Sequence, residues 1–417
     1  MKITKNSRKM IAFLKKNNYI EYLPISKKTE NIMLNLYNDI LEASKYVSSI
    51  KTSKPSFYII QTKKIQTVSQ ITKPNNFNFN SFPKEIQEHI NEQSFFEISY
   101  TFSLFERKVK VIFTVEDENA ESKMNTYNKY IENIILWLHV VNQYASKQCA
   151  SSIIIYFYFT SLEKHLPTSN MHILNETNVN TAFTTTCPAN SEIVVYRKEE
   201  WFKVFIHESF HNFGLDFSDM NTQDCTNHIL QLFNVHSEVN LYESYTEFWA
   251  EIMNAAFSSF FLLKEKTNTK EFLSTMETII HYERTYSFFQ MVKTLHFMNL
   301  TYANIYMKDS ANQVLSETLY KEKTNVLSYY IIKTILLNNY SGFLNWCTKY
   351  NLSLLQFKKT TSNLKSFCVF IEKNYKTPSM LKNIDKTEVF FQKLKNKKTN
   401  NNSYILTNMR MSVCEMD

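Results

Sequence analysis

Glycine is nearly missing from this chain, at 2 of 417 residues, and proline is scarce at 7. Lys, Asn, Ile, Tyr and Phe are abundant in their place, the bias expected of an AT-rich genome. A glycine that survives such a bias marks a backbone position that ordinary residues would strain. The six cysteines (Cys149, Cys187, Cys225, Cys347, Cys368, Cys414) include no CxxC pair. A chain of this size does not need disulfides, so they read as reduced thiols of an intracellular protein. No apolar run approaches the roughly eighteen residues of a membrane span. The basic start, Met1 to Lys16, has an apolar patch too short for a secretion signal, and no internal repeat is visible.

The chain does have core-forming residues: 44% hydrophobic and 15% aromatic, enough for one large core or two moderate ones. Its net charge of +8 gathers in the first seventy residues or so and the last forty or so. That surplus reads as a solvated lysine-rich surface. No nucleic-acid-binding motif accompanies it, so nucleic acid is not the expected partner.

Hydrophobic periodicity predicts a helix near 28–48, a hairpin of strands Phe95–Phe102 and Lys108–Val115, and a helix from Met124 to Ala145. Ser152–Thr160 is too short and too rich in β-formers for anything but an interior strand. Two further strands, Thr181–Thr186 and Glu192–Arg197, flank the turn residues Cys187-Pro-Ala-Asn-Ser. From about 240 to 375 the pattern is helical, with segments at 241–263, 270–300 and 319–337. The expected organisation is an N-terminal α+β region over 1–120, a catalytic core over 121–300, a helical region over 301–390 and a flexible tail over 391–417. The fold class is α+β, a small mixed sheet packed on one apolar helix followed by a mainly helical C-terminal half.

The chemistry concentrates at His207-Glu208-Ser-Phe-His211. On the apolar helix that begins near Trp201, His207 and His211 stand one turn apart and share a face, so both imidazoles can grip one zinc ion. Glu208, about 100° round the helix, is placed to act as general base on a water beside that ion. Gly214 and Leu215 match a helix stop at Asn212 or Phe213 in which the glycine takes the left-handed position. Buried core histidines are the plain alternative. Two His and a Glu on so apolar a helix, however, need compensation that a metal gives directly.

A catalytic zinc takes three protein ligands. The metzincin pattern would place the third six residues after His211, which is Phe217, and that pattern fails. A stripe of carboxylates at Glu243, Glu247 and Glu251, otherwise surrounded by Tyr, Phe, Trp, Ile and Met, offers the third ligand from a second helix. Glu243 also occupies the capping-box position after Asn240, which would turn its side chain back to the helix start.

With these motifs the chain resembles the gluzincin class of zinc metallopeptidases, in which HExxH on one helix is completed by a Glu on another. Glu243-Ser-Tyr-Thr-Glu247-Phe-Trp-Ala is similar to the Glu-x-x-x-Asp-x-Phe-Ala segment of CAAX-processing proteases. The blocks Asn178–Thr184, Glu192–Glu208 and Tyr242–Ala250 resemble uncharacterised metallopeptidase-like proteins of giant DNA viruses. The resemblance implies a zincin-like fold, one Zn2+ ion, Glu243 as third ligand and Glu247 as the acid that orients a ligating His. The other assignment, Glu247 as ligand and Glu251 behind it, stays open.

The reaction expected is hydrolysis of a protein or peptide substrate, with the strand 192–197 as the edge to which an extended chain adds. His281, Tyr282, Tyr286, His236 and His228 are candidates for stabilising the oxyanion. The reading from another class is a catalytically silent structural or interaction protein, such as a virion component.

Overall fold

The computed structural model describes residues 2–53, 57–75, 77, 81–396 and 403–417. Part of the segment 72–80, which reads as a loop in the sequence, and residues 397–402 of the expected tail lie outside them. The chain divides into two compact units. One is Asn35–Glu163 with Asn180–Asp216; the other is Met1–Leu34, Lys164–Val179 and Phe217–Asp417.

The first unit is built on a six-stranded mixed sheet of order β1-β2-β3-β4-β6-β5, where β1 is Ile59–Lys64, β2 Phe96–Leu104, β3 Arg107–Val115, β4 Ser152–Phe159, β5 Ala182–Thr184 and β6 Asn190–Val195. The β2–β3 hairpin turns on two residues, Phe105 and Glu106, both at positive φ (48° and 67°), the backbone a two-residue hairpin turn needs. Ordinary side chains adopt it here without glycine. Parallel pairing of β3 with β4 requires a crossover, and the Met124–Asn142 helix supplies it.

One face of the sheet carries Phe113, Phe157 and Phe159. Phe157 meets Trp201 and Phe205 of the helix Trp201–Asn212, with ring centroids 5.3 and 5.7 Å apart. The opposite face carries Ile112, Tyr156, Tyr158, Val194 and Tyr196, covered by Ile71, Phe77, Phe82, Ile86 and Ile90. Helices therefore lie on both faces, and β4 is buried at five consecutive positions, as an interior strand should be.

Two expectations change here. The boundary near 120 does not hold, because β1 to β3 pair into the same sheet as β4 to β6. The strand 192–197 is not an edge: β6 is flanked by β4 in parallel and by β5 antiparallel, and the three residues of β5 form that side of the sheet.

The second unit is helical. Its Leu241–Leu262 helix is buried without a break from Glu243 to Phe260, the signature of a helix apolar on all sides, and it packs on the Thr269–Phe297 helix. The expected flexible tail is corrected for residues 403–417. A short helix, Ser403–Thr407, leads into a stretch in which Asn408–Cys414 is fully buried. Buried backbone needs partners. The Glu283 carboxylate accepts from Val413 N and Cys414 N, each at 2.8 Å, Tyr330 Oη donates to Met409 O at 2.8 Å, and Thr4 N donates to Glu415 O at 2.9 Å. Such satisfaction comes from residues far away in sequence, so a lysine- and asparagine-rich approach concealed it. Among the described residues no helix is long and apolar enough to cross a membrane.

Candidate metal centre

The motif helix Trp201–Asn212 is buried at every position. It starts at Glu200, held at a φ of 58°, and stops where the sequence places the stop. Gly214 N donates to His211 O at 3.0 Å and Leu215 N donates to Phe210 O at 2.8 Å, the paired bonds of a Schellman ending, with Gly214 at a φ of 68°. A Cβ at Gly214 would also stand 3.2 Å from Cys149 Sγ.

That contact reflects a further correction. Cys149 and Cys187 form a disulfide, so the thiol reading fails for these two and holds for Cys225, Cys347, Cys368 and Cys414. The pair is 38 residues apart in sequence, but Ala150 N donates to Pro188 O at 2.7 Å and Ser152 N to Ala189 O at 3.0 Å, which holds the two segments side by side at the start of β4 and β6. Cys187 N also donates to His211 O at 3.2 Å, tying the bridge to the end of the motif helix.

His207 and His211 face each other with their Nε2 atoms 3.2 Å apart. Two ligand atoms on a tetrahedral zinc at about 2.0–2.1 Å stand roughly 3.3 Å apart, so the pair already has the spacing of two ligands. The Nδ1 of His211 is hydrogen-bonded to Oδ2 of Asp216, a residue with 0% exposure. An ionised carboxylate accepts, which calls for a proton on Nδ1, and in the neutral ring Nε2 then carries the lone pair. Glu208 is buried on the same helix. Asn212 Nδ2 donates to Thr184 Oγ1 at 2.9 Å, and Thr184 Oγ1 donates to Glu192 O at 2.6 Å, which fastens the helix to β5 and β6.

On the Leu241–Leu262 helix the three glutamates are all buried and have different settings. Asn240 is the N-cap but makes no side-chain cap bond, and Glu243 is not turned into a capping box: its Oε2 accepts from Tyr329 Oη at 2.9 Å. Tyr329 lies on a π-helical stretch, Leu327–Ile332, a geometry found mostly as local bulges and often at functional sites. Glu251 pairs with Lys333 six residues from the start of that stretch, and both are 1% exposed. Glu247, 1% exposed, sits midway between them. Among the described residues, His207, His211 and Glu243 are the group of His, Cys, Asp and Glu side chains that can hold a metal ion.

The oxyanion candidates have other engagements. Tyr286 Oη donates to Asn408 Oδ1 at 2.6 Å, His228 meets Glu372 at 3.2 Å, Tyr282 packs beside the cluster of Met10 and Leu14, and His236 is exposed. His281 lies against Tyr22 with the rings tilted, and burial, followed by the charge of Arg284, pushes its pKa down to about 4. Sequence reasoning missed the roles of Asp216 and Tyr329. Asp216 follows a glycine helix stop and so can fold back on the last turn, a signal that was available; Tyr329 is 86 residues from its partner, and nothing local marks it. Compared with known family models, curated proteins and solved structures, the chain matches none.

Proposed function

We propose that the protein is a zinc-dependent metallopeptidase of zincin-like fold, with His207, His211 and Glu243 as ligands and Glu208 as general base. One observation carries the reading: the ligand atoms of these three buried side chains all lie within 4.8 Å of one another. Three polar groups gathered away from water are costly unless something compensates, and a divalent cation compensates all three at once. Two imidazoles and one carboxylate are also the donor set of a catalytic zinc, which keeps a position open.

A zinc ion in that set supplies a Lewis acid that brings the pKa of a water towards about 7 and polarises a carbonyl. Glu208 takes the proton of the attacking water and delivers it to the departing amine nitrogen. Asp216 holds the Nδ1 edge of His211 so that Nε2 faces the ligand position, and Tyr329 holds one oxygen of Glu243. The substrate is a protein or peptide whose extended backbone adds alongside β5, the three-residue strand at that side of the sheet. The likeness to proteins of giant DNA viruses belongs to this same proposal.

The test is metal content and peptide cleavage on protein purified without chelator. One zinc per chain, cleavage of a peptide library, and a loss of about 10²- to 10⁴-fold in Glu208→Gln with zinc retained are expected. Absence of zinc, or of any cleavage, overturns the reading and leaves a structural or interaction protein; cleavage that survives Glu208→Gln overturns Glu208 as its general base.

A further inference from the structure

We infer that Asp216 is a positioning residue of the metal centre, fixing the tautomer and ring orientation of His211. The inference rests on the zinc reading above. The contact is direct: Nδ1 of His211 and Oδ2 of Asp216 are hydrogen-bonded, and Asp216 has no exposure to solvent.

Local geometry builds it. The Schellman ending reverses the chain at Gly214, whose φ of 68° is open to glycine and strained for other residues, and Leu215 N closes on Phe210 O at 2.8 Å. The next residue is thereby returned to the last turn of the helix, alongside the ring of His211. Nδ1 and Nε2 lie on opposite edges of an imidazole, so a carboxylate on Nδ1 cannot also ligate the ion that Nε2 holds. Asp216 is therefore a partner of the ligand and not itself a ligand. A carboxylate behind a ligating His raises its basicity and holds its ring, and removal of such a partner weakens metal binding about 10- to 100-fold. Gly214 gains a functional reason as well: it aims Asp216.

The test is zinc affinity by chelator competition on the full chain, with urea unfolding of the zinc-free protein measured in parallel. Asp216→Ala is expected to bind zinc about 10- to 100-fold more weakly than wild type. Asp216→Asn, whose amide oxygen still accepts from Nδ1, is expected to fall between the two while its zinc-free unfolding midpoint stays near wild type. Should the alanine variant not fold, the asparagine variant decides: affinity weakened at unchanged stability upholds the inference. Wild-type affinity in both folded variants, or in Asp216→Asn alone, overturns it while leaving the peptidase reading intact. A wild type that takes up no zinc overturns both.

Discussion

The helices Trp201–Asn212 and Leu241–Leu262 each bury several ionisable side chains, but they settle them over different distances. On the first, both histidines, the glutamate between them and the aspartate behind His211 fall within ten residues, 207 to 216. On the second, three glutamates at identical spacing are set apart by residues far along the chain, Tyr329 for Glu243 and Lys333 for Glu251. Chemistry carried by one helix and its stop is local; chemistry that chooses among equivalent positions of a stripe depends on what packs against it.

The sharpest break of that contrast is at Lys333. With both partners 1% exposed, Lys333→Met removes the buried cation paired with Glu251 and is expected to cost about 3–5 kcal/mol in urea unfolding. A loss under about 1 kcal/mol would mean that the pair does not settle Glu251.

The next effect is a pH dependence beside the π-helical stretch, where Glu322 accepts from Leu327 N at 3.0 Å. Burial raises the pKa of Glu322 from 4.5 to about 7. Its folded value lies above its unfolded one, so its contribution is fully present below about pH 4.5 and is lost as pH rises through about 7. At about 1.4 kcal/mol per unit, the full change is on the order of 3–4 kcal/mol, of which about 2–3 kcal/mol falls between pH 5 and pH 8. Unfolding curves at pH 5 and pH 8 should show that decline in wild type and a flatter profile in Glu322→Gln.

The local helix is probed by Gly214→Ala. A left-handed alanine costs about 1–2 kcal/mol, and here its Cβ would also press on Cys149 Sγ at 3.2 Å. Stability measured with the disulfide intact should fall by at least that much; no change would remove the claim that the stop needs glycine. The smallest effect belongs to Tyr329→Phe, which removes one hydrogen bond to Glu243 worth about 1–2 kcal/mol. It should weaken zinc binding by several-fold to about tenfold in the same chelator assay, and an unchanged affinity would separate Tyr329 from the site.

The same contrast explains what could be read in advance. Strands β2, β3, β4 and β6, the crossover helix and the stop at Asn212 follow from periodicity and from one glycine, all local signals. The hairpin turn at Phe105 and Glu106 carries no turn residue because this chain hardly uses glycine, yet the flanking strands revealed it. Missed features are non-local. The disulfide joins residues 38 apart, β5 displaces β6 from the edge, and the 408–414 segment is buried because Glu283, Tyr330 and Asn254 satisfy its backbone. Asp216 is the exception. Its signal was local, a carboxylate two residues past a glycine helix stop.

The central claim is that His207, His211 and Glu243 share one zinc ion. X-ray absorption at the zinc edge on the purified full chain tests it most directly. The account predicts one zinc per chain with two imidazoles and oxygen donors at about 2.0–2.1 Å and no sulfur. No zinc, a sulfur shell, or a single imidazole would contradict it.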